Sequence, residues 1–475
     1  MDDGRRWAIE EFGQAQLGDI RRRDRLVRMA ARAVEAPGGR LTEVFTTSAE
    51  RQGAYDLLDN EEVTPAAVTE AMGRAAAARC ASLDRVLVVI DGSSVTLTDD
   101  RGDKDFGAIG TFTQGARGLK VMTALAVGLD GVPIGVLHQE YWVRTTQQRK
   151  PAITREVADK ETQHWLDTAF ASVERLRMQA PSAKPCVVVD REGDNQHILT
   201  ALKTAEIDFI IRSSFDRRLV DGTNLADVAY VDRVYMGDAL AETKAFEVYD
   251  VPIKGGSGRK ARLARMQLRA RKVNLRLRNQ VTKAARPLEV WVVEVKESKA
   301  PQGSKPIAWR LLTSTPVLTA QDAHFVVDAY ARRWRIEEFH KTWKSSLCDV
   351  ETSLLRSKAH AQKWVSILAA IAARAERLKT LSRLPEQVPA ARELHPLELR
   401  ALLMLKQKNK RSNERISMRM RPSLQTAVLW IAELGGYTGA SSGGPPGTIT
   451  ITRGLERVRG AADVLQILVS QGKLR

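Results

Sequence analysis

The chain has 475 residues, 43% hydrophobic and 28% charged, which is long enough for two to four domains and too apolar for a disordered protein. Lys and Arg outnumber Asp and Glu 74 to 57, a formal charge of +17 that draws polyanions to the surface; on charge alone, a basic protein with no nucleic-acid partner stays open. Cys80, Cys186 and Cys348 are scattered, the seven His have no metal-ligand spacing, and no apolar run reaches membrane length or resembles a leader core. These features argue against a zinc site, a disulfide framework and a membrane span, and they suit a reducing cytoplasm.

Residues 5–80 read as short helices. Arg21, Arg22, Arg23, Arg25 and Arg28 follow Leu17-Gly-Asp19, with Leu26, Val27 and Ala30 on another face. A Pro37-Gly-Gly39 turn ends that helix, Ser48 is placed to cap the next, and Thr64-Pro65 starts another. Arginines on one of several short helices suit a small DNA-binding domain, and a solvated helical cap is the alternative.

The texture then changes. Val86-Leu-Val-Val-Ile90 reads as a strand buried on both faces with Asp91 at its end. Val121–Gly128 and Val132–His138 flank Asp130-Gly131, a type I′ hairpin signal. An amphipathic helix over Thr162–Arg177 leads to a second buried strand, Cys186–Val189, which ends at Asp190. Two acids at the ends of two core strands on an α/β scaffold form the first pattern with chemistry in it.

From Asp208 to about Ser314 the chain reads as mostly β, through Phe209–Arg212, Ala245–Val251, Leu288–Val295 and Trp309–Leu312. Between them, alternation in Arg262–Arg278 puts Arg276 and Arg278 on one face and Leu275 and Leu277 on the other. That basic face fits a phosphate backbone or a charged edge strand equally well.

Ala320–Leu347 is predicted as one long helix, followed by helices over Ala359–Leu378 and Leu397–Leu405. A basic linker from Lys406, a helix over Leu424–Leu434, a Gly/Ser/Pro loop and a final helix from about Arg453 complete the chain. On the long helix, Tyr330, Arg333, Glu337, Lys341 and Lys344 fall within a sector of roughly 80°. Ile336, Phe339 and Trp343 face another way and can pack, and Glu338 and His340 read as structural.

Phosphodiester cleavage explains why one site would gather three carboxylates and several cations. Two divalent ions roughly 3.5–4 Å apart can serve the attacking and leaving oxygens of an in-line displacement. Mg²⁺ takes oxygen ligands and keeps some waters, so a few carboxylates suffice. Nearby Tyr, Arg and Lys can hold the phosphates.

The spacing Tyr330…Arg333…Glu337…Lys344, within Arg333-Trp-Arg-Ile-Glu-Glu-Phe-His-Lys341, resembles the signature helix of the insertion-sequence-four family of bacterial DDE transposases. The resemblance continues in Val188-Val-Asp190-Arg-Glu192, Leu137-His-Gln-Glu140, Gly53-Ala-Tyr55, Leu17-Gly-Asp19 and Leu434-Gly-Gly436. It implies an α/β, RNase H-like catalytic core (71–370) with a β-rich insertion at about 213–314. An N-terminal helical domain (1–70) would bind the terminal repeat, and a C-terminal helical domain (371–475) would dimerise. Asp91, Asp190 and Glu337 would hold two Mg²⁺ ions, or Mn²⁺ in their place, with no small-molecule cofactor. Arg22 and Arg25 would contact the terminal repeat. Trp309 would stack on a flipped base gripped by Arg212, Tyr330 and Arg333, with Lys341 and Lys344 on the DNA as well.

The implied activity is cut-and-paste transposition by a homodimer acting on inverted-repeat ends and target DNA in the bacterial cytoplasm, at the nucleoid, with a hairpin intermediate. Glu35, Ala36 and Asp56 depart from the family's basic or aromatic positions, which leaves the sequence of the terminal repeat open and does not touch the chemistry. A nuclease or resolvase on the same fold, and a catalytically silent DNA-binding relative, are the other readings.

Overall fold

The computed structural model describes residues 3–110, 115–144, 161–221, 233–253, 255, 260–279, 282, 284–303, 306–385, 388–409, 414–439 and 444–473. Parts of the basic linker after Lys406 and of the Gly435–Gly447 loop lie outside the described residues.

Five helices open the chain: α1 (Asp3–Phe12), α2 (Ile20–Glu35), α3 (Leu41–Val44), α4 (Ser48–Asp59) and α5 (Pro65–Ala78). The side chain of Asp19 caps α2 by accepting from the Arg21 N–H, and Leu26, Val27, Ala30 and Val34 form its buried face. Thr47, not Ser48, caps α4, because Thr47 is extended and exchanges hydrogen bonds with Glu50 in a capping box. Thr64 caps α5 with Pro65 in its first turn, as the dipeptide predicts.

The central sheet follows as β1 (Arg85–Thr96), β2 (Gly107–Ala108), β3 (Arg117–Val127), β4 (Pro133–Trp142), α6 (Thr162–Gln179), β5 (Lys184–Val189), α7 (Gln196–Thr204) and β6 (Asp208–Arg212). Next come α8 (Met236–Ala241), β7 (Glu247–Ile253), β8 (Arg262–Arg278), β9 (Ala285–Glu297) and β10 (Ala308–Thr313). These strands form a single mixed sheet in the order β2-β3-β1-β5-β6-β10-β9-β8-β7, with β4 also on β3. β5 runs parallel to β1 and to β6, and the remaining pairs are antiparallel. Strands β7–β10 thus extend the same sheet through the β6–β10 pair.

Two strand expectations need correction. Asp91 is not at a strand end: β1 continues to Thr96, held by pairing from Asp91↔Thr123 to Thr96↔Gly118. Backbone pairing carries the strand through the polar Gly92-Ser-Ser94, where no apolar run marks it. The β3–β4 turn is also not type I′, since that needs positive φ at both central residues and only Gly131 has it, at 81°. Gly131 N–H instead donates to Gly128 O, and Val132 N–H to the Asp130 carboxylate, which closes a longer loop.

The rest of the chain is helical: α9 (Ala320–Ala331), α10 (Trp334–Lys344), α11 (Lys358–Leu381), α12 (Pro396–Lys408), α13 (Leu424–Leu434) and α14 (Thr448–Ser470). The single helix expected over Ala320–Leu347 is two. At the junction, Arg333, Arg335 and Ile336 N–H groups donate three residues back, to Tyr330, Arg332 and Arg333. That tighter pattern interrupts the α-helix without any Pro or Gly to signal it.

The sheet separates two cores. Leu87, Val89, Cys186, Val188, Ile210 and Leu311 pack on one face with α9–α11 and the N-terminal helices. Val86, Val88, Ile90, Val187, Phe209 and Leu312 pack on the other with α6 and α7. β8 takes part in both, with Ala264, Met266 and Leu268 on the first face and Val273, Leu275 and Leu277 on the second. A third core joins α12–α14, where Leu455, Val458, Ala462 and Leu465 of α14 are buried.

Candidate functional site

Strand periodicity decides which side chains meet. On β1, Leu87 and Val89 face the α10–α11 side, so Asp91, two residues on, faces it as well. Cys186 and Val188 place Asp190 on that side, Ile210 places Arg212, and Leu311 places Trp309. The register aligns them: Val89 pairs with Val188 and Val189 with Ile211, so Asp91, Asp190 and Arg212 come level across three parallel strands. Neighbouring strands lie about 4.8 Å apart, which puts the two aspartates side by side.

Helix α10 covers this row. Ile336, Phe339 and Trp343 are fully buried, and the Trp343 Nε1–H donates to Val365 O at 2.8 Å. That packing turns Glu337 toward the strands. Its Oε1 accepts from the Arg333 guanidinium at 2.5 Å. Asp190 Oδ1 accepts from the Glu192 N–H at 2.8 Å, and Asp91 Oδ1 from the Gly92 N–H at 3.0 Å.

Electrostatics tie the acids together. Burial, and then the charge of Asp190, push the Asp91 carboxyl up to about 7; Glu192 and Glu337 push the same way and Arg333 opposes. Carboxylates that repel one another at a half-buried site are an oxygen-donor set short of positive charge. Such a set fits hard divalent cations such as Mg²⁺.

The cationic and aromatic residues form a chain beside the acids. Arg333 lies over the Tyr330 ring at 5.9 Å, Tyr330 meets Trp309 edge-on at 5.1 Å, and Arg212 lies over Trp309 at 5.9 Å. Tyr330 is buried, and Trp309 and Arg212 are partly open. Lys344 Nζ lies 3.5 Å from Ser93 Oγ on β1 and 3.6 Å from Glu351. Lys341 is exposed on α10.

Arg22 and Arg25 stand elsewhere, on α2. Arg22 donates to Leu17 O at 3.0 Å and lies 3.6 Å from Glu62, and Arg25 pairs with Asp56 at 3.0 Å. The basic strand β8 is largely ion-paired: Arg262 with Glu297, Arg269 with Glu294, Arg271 with Glu242, and Lys272 with Glu289. β8 lies between β9 and β7 and is not an edge strand, so the charged-edge expectation is corrected; these four pairs stand on both of its faces and engage the cations with carboxylates of the same chain.

Sequence reasoning missed two neighbours of the acids. Glu192 adds a fourth carboxylate to the field on Asp91. His340 lies with Nδ1 3.8 Å from Asp91 Oδ2. Its place three residues after Glu337, one helical turn away, was the available signal.

Two further features lie apart from this row. Glu140, His164 and Asp167 have ligand-capable atoms all within 4.8 Å of one another, beside the β4 edge. A cavity of about 590 Å³ opens next to them, where Arg175 joins Glu70 and His138.

A mixed α/β sheet flanked by many helices, with acids brought level on one face, suits an RNase H-like enzyme of nucleic-acid cleavage. Comparison with protein families makes the assignment. Residues 83–373 match the transposase DDE domain, and residues 4–63 match the transposase DNA-binding domain. The chain belongs to the DDE transposases. It is a DNA-binding, metal-dependent, DNA-cleaving enzyme.

Proposed function

We propose that this chain is a cut-and-paste transposase of the insertion-sequence-four family, with Asp91, Asp190 and Glu337 as the residues that hold two Mg²⁺ ions, or Mn²⁺ in their place. The observation that carries the proposal is the register of β1 and β5, which brings Asp91 level with Asp190 beneath Glu337 on α10. When bound, the divalent ions ease deprotonation of the attacking water and neutralise charge on the leaving oxygen.

The remaining steps belong to the protein's own groups. Arg333 balances the charge of Glu337 and, with DNA present, can turn its free N–H groups to a phosphate. Trp309 offers an aromatic face that replaces the stacking of a base swung out at the transposon end, while Tyr330 braces the ring and Arg212 covers it. Lys344 reaches β1 beside Asp91, and Lys341 extends the basic face for the scissile strand. Cleavage frees a 3′-hydroxyl, whose attack on the opposite strand gives a hairpin; after the hairpin opens, the 3′ end attacks target DNA.

The organisation that goes with this reading has residues 1–70 on the terminal repeat, 71–370 as the catalytic unit with its insertion at about 213–314, and 371–475 as the dimerising unit. Arg22 and Arg25 exchange their pairing with Glu62 and Asp56 for phosphates of the repeat. Val464 and Ile467 of α14 are 56% and 55% exposed, an apolar surface suited to a second copy in a homodimer. The enzyme works at the nucleoid in the bacterial cytoplasm; among the described residues no helix is long and apolar enough to cross a membrane.

The test is incubation with a labelled native element end and a supercoiled target plasmid in Mg²⁺, resolved on denaturing and native gels. Hairpin ends followed by plasmid-joined products support the proposal. Cleavage that never yields a joined product contradicts it and favours a nuclease.

A further inference from the structure

His340 is the one histidine placed against the acidic row, and two surroundings constrain it. Its ring is buried to 8% exposure among Phe339, Trp343 and the sheet, and its Nε2 has no hydrogen-bond partner among the described residues. Its other nitrogen, Nδ1, lies 3.8 Å from Asp91 Oδ2.

A neutral imidazole carries a single proton, on one ring nitrogen or the other. With that proton on Nε2, an N–H would be buried without an acceptor and the Nδ1 lone pair would face a carboxylate oxygen. With the proton on Nδ1, the N–H points at the carboxylate and only a weak acceptor is left over. Chemistry therefore selects the Nδ1–H form.

We propose that His340 is a positioning residue for Asp91, its Nδ1–H holding Oδ2 while the Gly92 N–H holds Oδ1, so that the carboxylate presents its remaining lone pairs to a divalent ion in one orientation. The inference rests on the reading of Asp91 as a metal ligand. At 3.8 Å the contact is longer than a hydrogen bond, and under this proposal the two groups close on each other when a divalent ion orders the carboxylate. Partners behind a metal ligand typically change metal affinity by about 10–100-fold when removed.

The test is calorimetric titration of the full chain with Mn²⁺, comparing wild type, Asp91→Asn, His340→Asn and His340→Gln, each checked for folding by circular dichroism. The amide nitrogen of Asn can stand where Nδ1 stood, whereas that of Gln reaches beyond it. We expect His340→Gln to weaken Mn²⁺ binding about tenfold or more and His340→Asn to restore most of the affinity. Wild-type affinity in His340→Gln together with lost affinity in Asp91→Asn overturns the positioning role and spares the metal site. Wild-type affinity in Asp91→Asn removes the metal-ligand reading, and the proposal with it. If His340→Gln does not fold, the ¹⁵N spectrum of histidine-labelled wild type decides: Nδ1 protonated supports the proposal, and Nε2 protonated overturns it.

Discussion

Asp91 and Asp190 come level on neighbouring parallel strands because Val89 of β1 pairs with Val188 of β5 and each aspartate lies two residues further on. Neither residue could leave that alignment without a shift of register, and a one-residue slip would turn the whole apolar set of a strand to the wrong face. The proximity of the two carboxylates is therefore built into the core itself.

That proximity has a pH signature. Asp91 is raised from 3.8 to about 7, by burial first and then by Asp190. An acid raised in the folded state binds its proton more tightly there than in the unfolded chain. Stability that is full below about pH 4 is then lost as the pH climbs through 7. Thermal melts of the metal-free protein should show wild type losing stability relative to Asp91→Asn across that window. Mn²⁺ affinity should rise over the same range as the competing proton leaves. A wild-type minus variant difference that is flat from pH 4 to 7 contradicts the shift.

Arg333 is the cation that steadies the acids before any metal arrives. Its guanidinium is 2.5 Å from Glu337 and lowers the Asp91 carboxyl against the push of its neighbours. Arg333→Ala should destabilise the metal-free protein by about 1–2 kcal/mol, a value reduced for the partial exposure of Glu337. Saturating Mg²⁺ should recover more stability in the variant than in wild type. Equal metal-induced stabilisation in both would show that Arg333 does not offset the acidic charge.

The Trp309–Tyr330 contact makes a prediction about DNA. Stacking of a base on an aromatic ring contributes about 1–3 kcal/mol, so Trp309→Ala should slow cleavage at the element end by roughly 5–150-fold while leaving binding of the end largely intact. An abasic site at the flipped position should reduce the difference between wild type and variant. Retained cleavage in Trp309→Ala on intact DNA contradicts the stacking role.

Trp364 ties the N-terminal helices to α11. The ring is fully buried, and its Nε1–H donates to Gly39 O at 2.7 Å, an oxygen that also accepts from Ser353. Because Gly39 O keeps its second partner, Trp364→Phe should cost about 1 kcal/mol, and Trp364→Ala, which leaves a cavity, about 3–5 kcal/mol. Urea unfolding measures both. Equal losses in the two variants would mean that the cavity does not set the scale.

Much of the site could be read in advance where a core element carried it. Asp190 ends β5 as its apolar run predicts, and the Ile336-Phe339-Trp343 face of α10 is buried as its spacing predicts. Asp91 was harder to place within its strand. Gly92-Ser-Ser94 carries no apolar signal because that half of β1 is held by pairing with β3 rather than by burial. The α9–α10 break was hidden because Arg332 and Arg333 keep right-handed helical dihedrals and change only their hydrogen-bond span. The closeness of His340 to Asp91 is not legible in the sequence, because helix geometry gives the direction of a side chain on its own helix and says nothing of what a distant strand places opposite it.

The most direct test is cleavage of a labelled native element end by purified protein in Mg²⁺ or Mn²⁺, with Glu337→Ala alongside and DNA binding measured for both. The triad assignment predicts metal-dependent cleavage by wild type, reduced at least about a thousandfold in Glu337→Ala, with binding of the end unchanged. Cleavage by Glu337→Ala at the wild-type rate would contradict it.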